Sequence, residues 1–153
     1  MGRIIVGADG SEGGHAALRW AIAEAKLRHL SLEIVHAWQP ISPTWAGLGA
    51  MGAAAEPPVG AEELQAFAQS VLDAAVAAHR DELDDLDIEA HLSEGHPAAV
   101  LVEASQHAEL LVVGSRGLGG VRGMLMGSVS RHVVHHAHCP VVVIPHSAER
   151  SVH

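Results

Sequence analysis

Apolar and polar positions follow two periods along the chain. Five short apolar runs suit strands of a parallel sheet, at residues 3–8, 31–38, 86–92, 109–113 and 141–144; the run at 86–92 is the weakest, because its apolar positions alternate with polar ones. Other segments repeat apolar residues every three or four positions, which predicts helices from Ser11 onward and over residues 61–79, 97–107 and 128–137. Strands that alternate with helices predict βαβ units and a single α/β domain.

Residues at the helix ends sharpen these predictions. Ser11 can cap the first helix, although the Gly13–Gly14 pair weakens its first turn. Pro97 suits the first turn of a short helix. The helix at 61–79 carries one apolar stripe, formed by Leu64, Phe67, Ala68, Val71, Leu72, Ala75 and Val76. Residues 39–60 are rich in Pro, Gly and Ala without a clear period, which predicts a long loop.

Composition excludes several classes of protein. The 153 residues suit one domain, and 48% hydrophobic residues argue against disorder. A net charge of -9, with one Phe and no Tyr, makes nucleic acid an unexpected partner. Cys139 is the sole cysteine, and no apolar run suits a signal peptide or a membrane span, so we expect a cytoplasmic protein without membrane association. We expect a domain over residues 1–146 and a tail over 147–153.

The glycine-rich segment from Gly114 to Gly127 is the most informative part of the chain. It leaves a buried strand and reaches a helix start, where backbone N–H groups can converge on a phosphate. Ser128 could cap that helix or donate to a phosphate. No Asp or Glu occurs between residues 110 and 146, which favours anion binding; a surface connection with chance glycines is the alternative. GxxxxGK[ST] and the dinucleotide fingerprint are absent, so any phosphate is bound without a phosphate-loop lysine.

The spacing Gly114-x2-Gly117-x9-Gly127-Ser128 resembles the motif of the ATP-binding branch of the universal stress protein family. Residues 6–11, 110–117 and 138–145 resemble the family's opening, fourth and closing strands, in the same order. The sequence departs from the family's pattern at Glu109, where Asp is usual, and at the Gly13–Gly14 pair.

This resemblance implies an open five-stranded parallel sheet of order 3-2-1-4-5, with helices on both faces, that binds ATP. The phosphates of the ATP could hold Mg²⁺. It implies that Gly7 and Asp9 contact the adenosine, that the backbone near Ala37 lies against the adenine, and that the glycine-rich segment surrounds the phosphates. The residues expected at the site are Gly7, Ala8, Asp9, Ala37, Gly114, Ser115, Arg116, Gly117, Leu118, Gly119, Gly120, Gly127, Ser128, Val129 and Ser130. Asp9 could instead simply form a turn or cap a helix.

No acidic residue near the expected phosphates offers itself as a catalytic base, so the sequence favours nucleotide sensing over catalysis. Together with the resemblance, this implies a nucleotide-dependent regulatory protein of the stress response that acts on an unknown protein partner. A slow Mg-dependent ATPase and an interaction module that binds no nucleotide are the alternatives. The resemblance implies a homodimer through the edge strand Val141–Ile144, an apolar edge that invites pairing. His132 and His136 can share a helix face, but the helix dipole explains histidines near a helix end, so no metal site is expected.

Overall fold

The computed structural model describes residues 2–40, 60–117 and 126–145. Five parallel strands form one sheet in the order β3-β2-β1-β4-β5. The strands are β1 (Arg3–Gly7), β2 (Ser31–Trp38), β3 (Ile88–Glu94), β4 (Leu110–Gly114) and β5 (Val141–Ile144). The expected single-domain α/β fold and its strand order are confirmed.

Helices connect these strands. They are α1 (Glu12–Arg28), α2 (Ala61–Ala78), the single turn α3 (Arg80–Leu83), α4 (Pro97–Ala104), a 3₁₀ turn (Ser105–His107) and α5 (Ser128–His136). Ser11 caps α1 as expected, because its hydroxyl accepts a hydrogen bond from Gly14 N at 3.0 Å. None of the helices in the described ranges is long and apolar enough to cross a membrane.

Two apolar cores pack against opposite faces of the sheet. Ile4 and Val6 of β1 point toward α1 and α2, whereas Ile5 of the same strand points toward α4 and α5. This alternation follows from the two-residue repeat of a strand. β1 and β4 are therefore apolar at every interior position, while β3 at the sheet edge is largely exposed.

The structure differs from the sequence predictions at the start of β3 and in the buried positions of α2. β3 begins at Ile88, because Leu86 still bonds back to Leu83 O in a turn. On α2 the buried positions are Ala68, Leu72 and Ala75, and Phe67 is 69% exposed. The predicted stripe was therefore too wide: Phe67 precedes Ala68 by one residue and lies about 100° around the helix from it.

Some expectations fall outside the described residues. Most of the loop predicted at 39–60 does so, as does the tail at 147–153. The two departures from the family pattern are described. Glu109 is exposed immediately before β4, and Gly13 and Gly14 are buried in the first turn of α1.

Candidate functional site

A cavity of about 500 Å³ opens where β1 and β4 lie side by side at the carboxyl ends of the strands. The chain order reverses between these strands, the place at which open α/β sheets bind ligands. The volume falls within the usual range of roughly 300–1,000 Å³ for small-molecule sites. Eleven of the expected residues line it: Gly7, Ala8, Asp9, Ala37, Gly114, Arg116, Gly117, Gly127, Ser128, Val129 and Ser130.

The other four expected residues are placed differently. Leu118, Gly119 and Gly120 lie outside the described residues. Ser115 is buried beside the cavity and does not line it. The peptide groups of Ser115 join three elements: its N–H donates to Ile144 O at 2.8 Å, and its carbonyl accepts from Gly127 N at 2.6 Å. Ser115 thus ties the ends of β4 and β5 to the start of α5.

Asp9 has one carboxylate oxygen committed to a turn and one that faces the glycine-rich segment. Oδ1 accepts hydrogen bonds from the backbone N and the hydroxyl of Ser11, which is the turn-forming role considered from the sequence. Oδ2 approaches Gly117 so closely that a Cβ on that glycine would lie 2.6 Å from it. Asp9 therefore shapes the turn before α1 and also lines the cavity.

Backbone packs directly on backbone between α1 and the segment that follows β4. A Cβ on Gly13 would lie 2.6 Å from Arg116 O, and a Cβ on Gly114 would lie 2.8 Å from Gly13 C and O. Contacts this short leave no room for a side chain at either position. The glycines that weaken the first turn of α1 thus allow it to support the wall of the cavity.

The first turn of α5 forms the polar end of the cavity. Gly127 is the N-cap residue, and no side chain in the described ranges caps this helix. Ser128 follows the cap and is exposed, so of its two expected roles capping is wrong. The Ser130 hydroxyl donates to Ser115 O at 2.8 Å and Gly127 O at 3.1 Å. First-turn N–H groups of a helix have no intrahelical partners, and their partial positive charge favours an anion.

Another part of the cavity wall is mainly apolar. It is formed by residues from the ends of β2 and β4 and by α4, several of which the sequence reading did not name: Val35, His36, Pro97, Leu101 and Val113. Gly14 also lines the cavity and was not named. Gly7 lets α4 approach β1, because a Cβ there would lie 3.0 Å from Leu101 Cδ1. Ala37, which the family resemblance implied, was the one sequence signal for this wall.

The cavity wall therefore combines apolar side chains, a carboxylate and a helix N-terminus bordered by glycine backbone. Such an arrangement can hold a planar ring against the apolar side chains and an anionic group at the helix N-terminus. Arg116 and Asp9 are the charged residues among the described lining positions.

Residues 1–145 match the family model described as the universal stress protein family. A universal stress protein of Mycolicibacterium smegmatis is 32% identical over 147 residues, covering 92% of this chain and 45% of that protein. The chain thus spans less than half the length of the curated relatives it matches.

Solved structures of the family are similar over almost the whole chain. The universal stress protein from Archaeoglobus fulgidus in complex with dAMP is 27% identical with a TM-score of 0.65, covering 94% of this chain and 98% of that one. A universal stress protein in complex with cAMP is 25% identical with a TM-score of 0.67, covering 94% and 96%.

Proposed function

The chain belongs to the universal stress protein family, and on that premise we propose that it binds an adenine nucleotide, ATP in particular, in the cavity between β1 and β4. The observation that carries the proposal is the first turn of α5, which no side chain of the described residues caps, at the same cavity as a group of apolar side chains. The complexes of two similar proteins with dAMP and cAMP support it.

We assign the two ends of the nucleotide by their chemistry. The base lies against Val35, Ala37 and Leu101, because apolar atoms and backbone there offer a slot for a flat ring. The phosphates lie at Gly127 and Ser128, where backbone N–H groups donate to anionic oxygens. In this placement the residues at both ends of the Gly-x2-Gly-x9-Gly-Ser motif line the same cavity. The motif resembles that of the ATP-binding branch of the family.

Magnesium fits the site through Asp9. Its Oδ2 faces Gly117 at the border of the cavity, and carboxylate oxygens together with phosphates are preferred ligands of Mg²⁺. The bound ion would offset phosphate charge. In the part of the cavity wall that the structure describes, Asp9 is the one carboxylate, so a second acidic group that could activate water is lacking there. Regulation by the bound nucleotide is therefore favoured over catalysis, with slow Mg-dependent hydrolysis as the second candidate.

We also propose that the regulatory unit is a cytoplasmic homodimer that acts on a protein partner in the stress response. Val141, Val142 and Val143 of β5 are half-buried, and in the described ranges β5 pairs with β4 alone. An apolar edge strand is a ready site for pairing with a second chain. Sedimentation as a monomer at micromolar concentration would contradict this part of the proposal.

A matched pair of glycine variants tests the nucleotide site. Gly127 and Gly60 are both helix N-cap residues in extended conformation, with φ of -75° and -73°, and no described side chain caps either helix. A Cβ on Gly127 would meet the nearest described atoms at 3.6 Å, and a Cβ on Gly60 would meet no atom of the described residues within 4 Å. Valine at either position therefore costs a similar loss of capping, but only Gly127→Val introduces methyl groups at the cavity.

Calorimetric titration with ATP, AMP and cAMP, with and without Mg²⁺, provides the readout. We expect saturable binding by the wild type and by Gly60→Val, and at least about tenfold weaker binding by Gly127→Val. Equal ATP affinity in both variants would show that the phosphates do not lie at the start of α5. Gly114→Val is a poor test, since its Cβ would collide with the backbone of Gly13 before any ligand is present.

A further inference from the structure

Two histidines that are 64 residues apart in sequence face each other outside the nucleotide cavity. His15 lies in α1, and His79 lies at the turn between α2 and α3. Their nearest atoms, His15 Nδ1 and His79 Nε2, are 3.1 Å apart, and the ring centroids are 5.4 Å apart. His79 is 5% exposed, and His15 is half-buried, so water can reach one side of the pair.

The second nitrogen of His79 has its own acidic neighbour. His79 Nδ1 is buried without a hydrogen-bond partner among the described residues, and Glu82 Oε1 lies 3.5 Å from it. A neutral imidazole carries one N–H and one lone pair. The carboxylate favours the tautomer with the proton on Nδ1, which leaves the Nε2 lone pair facing His15. Histidines that bind metals commonly donate their other N–H to a carboxylate in this way.

The separation of the two facing nitrogens suits a shared metal ion. With metal–nitrogen distances of about 2.05 Å, a separation of 3.1 Å corresponds to an N–metal–N angle of about 98°. This angle lies between square-planar and tetrahedral geometry. Copper, nickel and zinc all accept neutral imidazole in this range.

We propose that His15 Nδ1 and His79 Nε2 form a two-histidine site for a divalent transition metal of the zinc class, with Glu82 orienting His79. Water completes the coordination on the exposed side of His15. The ion joins α1 to the α2–α3 turn. Because Gly14, the neighbour of His15, lines the nucleotide cavity, the metal stabilises the turn that supports one wall of that cavity.

Two other groups of metal-ligating side chains serve as comparisons. Glu33, Glu89 and His91 lie close together on β2 and β3, but Arg3 lies 2.8 Å from Glu33 and 3.8 Å from Glu89 and already pairs with both carboxylates. His132 and His136 stack on one face of α5 with centroids 4.4 Å apart. That pair lies within one short helix and cannot join two elements.

Zinc-dependent thermal unfolding of the full, metal-stripped chain tests the proposal. His15→Asn is the informative variant, because the asparagine amide N–H can take the place of Nδ1–H and keep the hydrogen bond to His79 without ligating zinc. His132→Asn is the matched control on α5. At zinc near 100 times its dissociation constant, we expect the melting temperature of the wild type and of His132→Asn to rise by about 5–10 °C. His15→Asn should show less than half of that rise.

Glu82→Gln gives a second test that does not depend on the behaviour of His15→Asn. Glu82 is half exposed, so the variant should fold normally, and loss of the orienting carboxylate should weaken zinc binding by roughly tenfold or more. A rise in melting temperature that is equal in the wild type, His15→Asn and Glu82→Gln would show adventitious binding only and overturn the proposal. No stabilisation of the wild type by zinc would overturn it as well. Both results are independent of whether the chain binds a nucleotide.

Discussion

Replacing Gly13 by alanine should have two opposing effects on the free energy of unfolding. In a helix this change is normally favourable by up to about 1 kcal/mol, because glycine loses more backbone entropy on folding. Here the added Cβ would lie 2.6 Å from Arg116 O, and the opposing atom belongs to the backbone. A backbone atom cannot rotate away as a flexible side chain does, so α1 and the segment after β4 must separate.

The steric effect should exceed the gain in helix propensity. Overpacking of a well-packed site costs roughly 1–3 kcal/mol, and subtracting a propensity gain of up to about 1 kcal/mol leaves a net destabilisation of about 1 kcal/mol. For a chain of this length that corresponds to a decrease in melting temperature of about 2–4 °C. Because Arg116 and Gly117 line the cavity, the displacement should also weaken nucleotide binding although Gly13 itself does not line it.

Urea denaturation followed by circular dichroism measures the first effect, and calorimetric titration with ATP measures the second. Gly60→Ala is the control for affinity, since a Cβ at that position meets nothing within 4 Å in the part of the chain that the structure describes. If Gly13→Ala raised the free energy of unfolding by about 1 kcal/mol and left ATP affinity unchanged, the close backbone packing between α1 and Arg116 would be refuted.

Two further predictions concern the core and the cysteine. Leu72→Ala should lower the free energy of unfolding by about 2–5 kcal/mol, because Leu72 is 2% exposed. Phe67→Ala should change the free energy of unfolding by less than about 1 kcal/mol, because Phe67 is largely exposed. Urea denaturation of both variants measures the difference, and equal losses would contradict the placement of α2. Partial burial raises the pKa of the Cys139 thiol. A raised folded pKa means that this group favours folding below its unfolded pKa, near 8.5, and that the contribution is lost as the pH rises through the folded pKa. Alkylation by iodoacetamide at pH 8 should therefore be slower in the native protein than in urea, and an equal rate would argue against burial.

Much of the architecture could be predicted because the central strands are apolar at successive positions. β2 and β5 were bounded correctly: β5 is a continuous apolar run, and β2 is rich in apolar residues although Glu33 and His36 interrupt it. β3 was misplaced by two residues, because it lies at the sheet edge and only part of it is buried. Phe67 was assigned to the wrong face, since periodicity identifies an apolar arc but not which part of the arc meets the sheet.

The sequence predicted the strand ends and the glycine-rich segment at the candidate site, but not the part of the cavity wall that α4 forms. Asp9, Ala37 and Gly114 come from three different strands, and the family resemblance placed them together. Pro97 and Leu101 were missed, because helical periodicity does not determine where α4 lies over the sheet. The contact between His15 and His79 carries no local signal at all, since tertiary packing of α1 against the α2–α3 turn creates it.

The central claim is that adenine nucleotide binds in the cavity between β1 and β4, with its phosphates at the start of α5. A two-dimensional NMR titration of the ¹⁵N-labelled chain with ATP tests this most directly, because it reports on each backbone amide. The account predicts saturable shifts that are largest at Asp9, at Gly114 and Gly117, and at Ser128 and Val129. Shifts that do not saturate, or that concentrate in the cleft at Lys26 and Asp87 on another part of the surface, would contradict it.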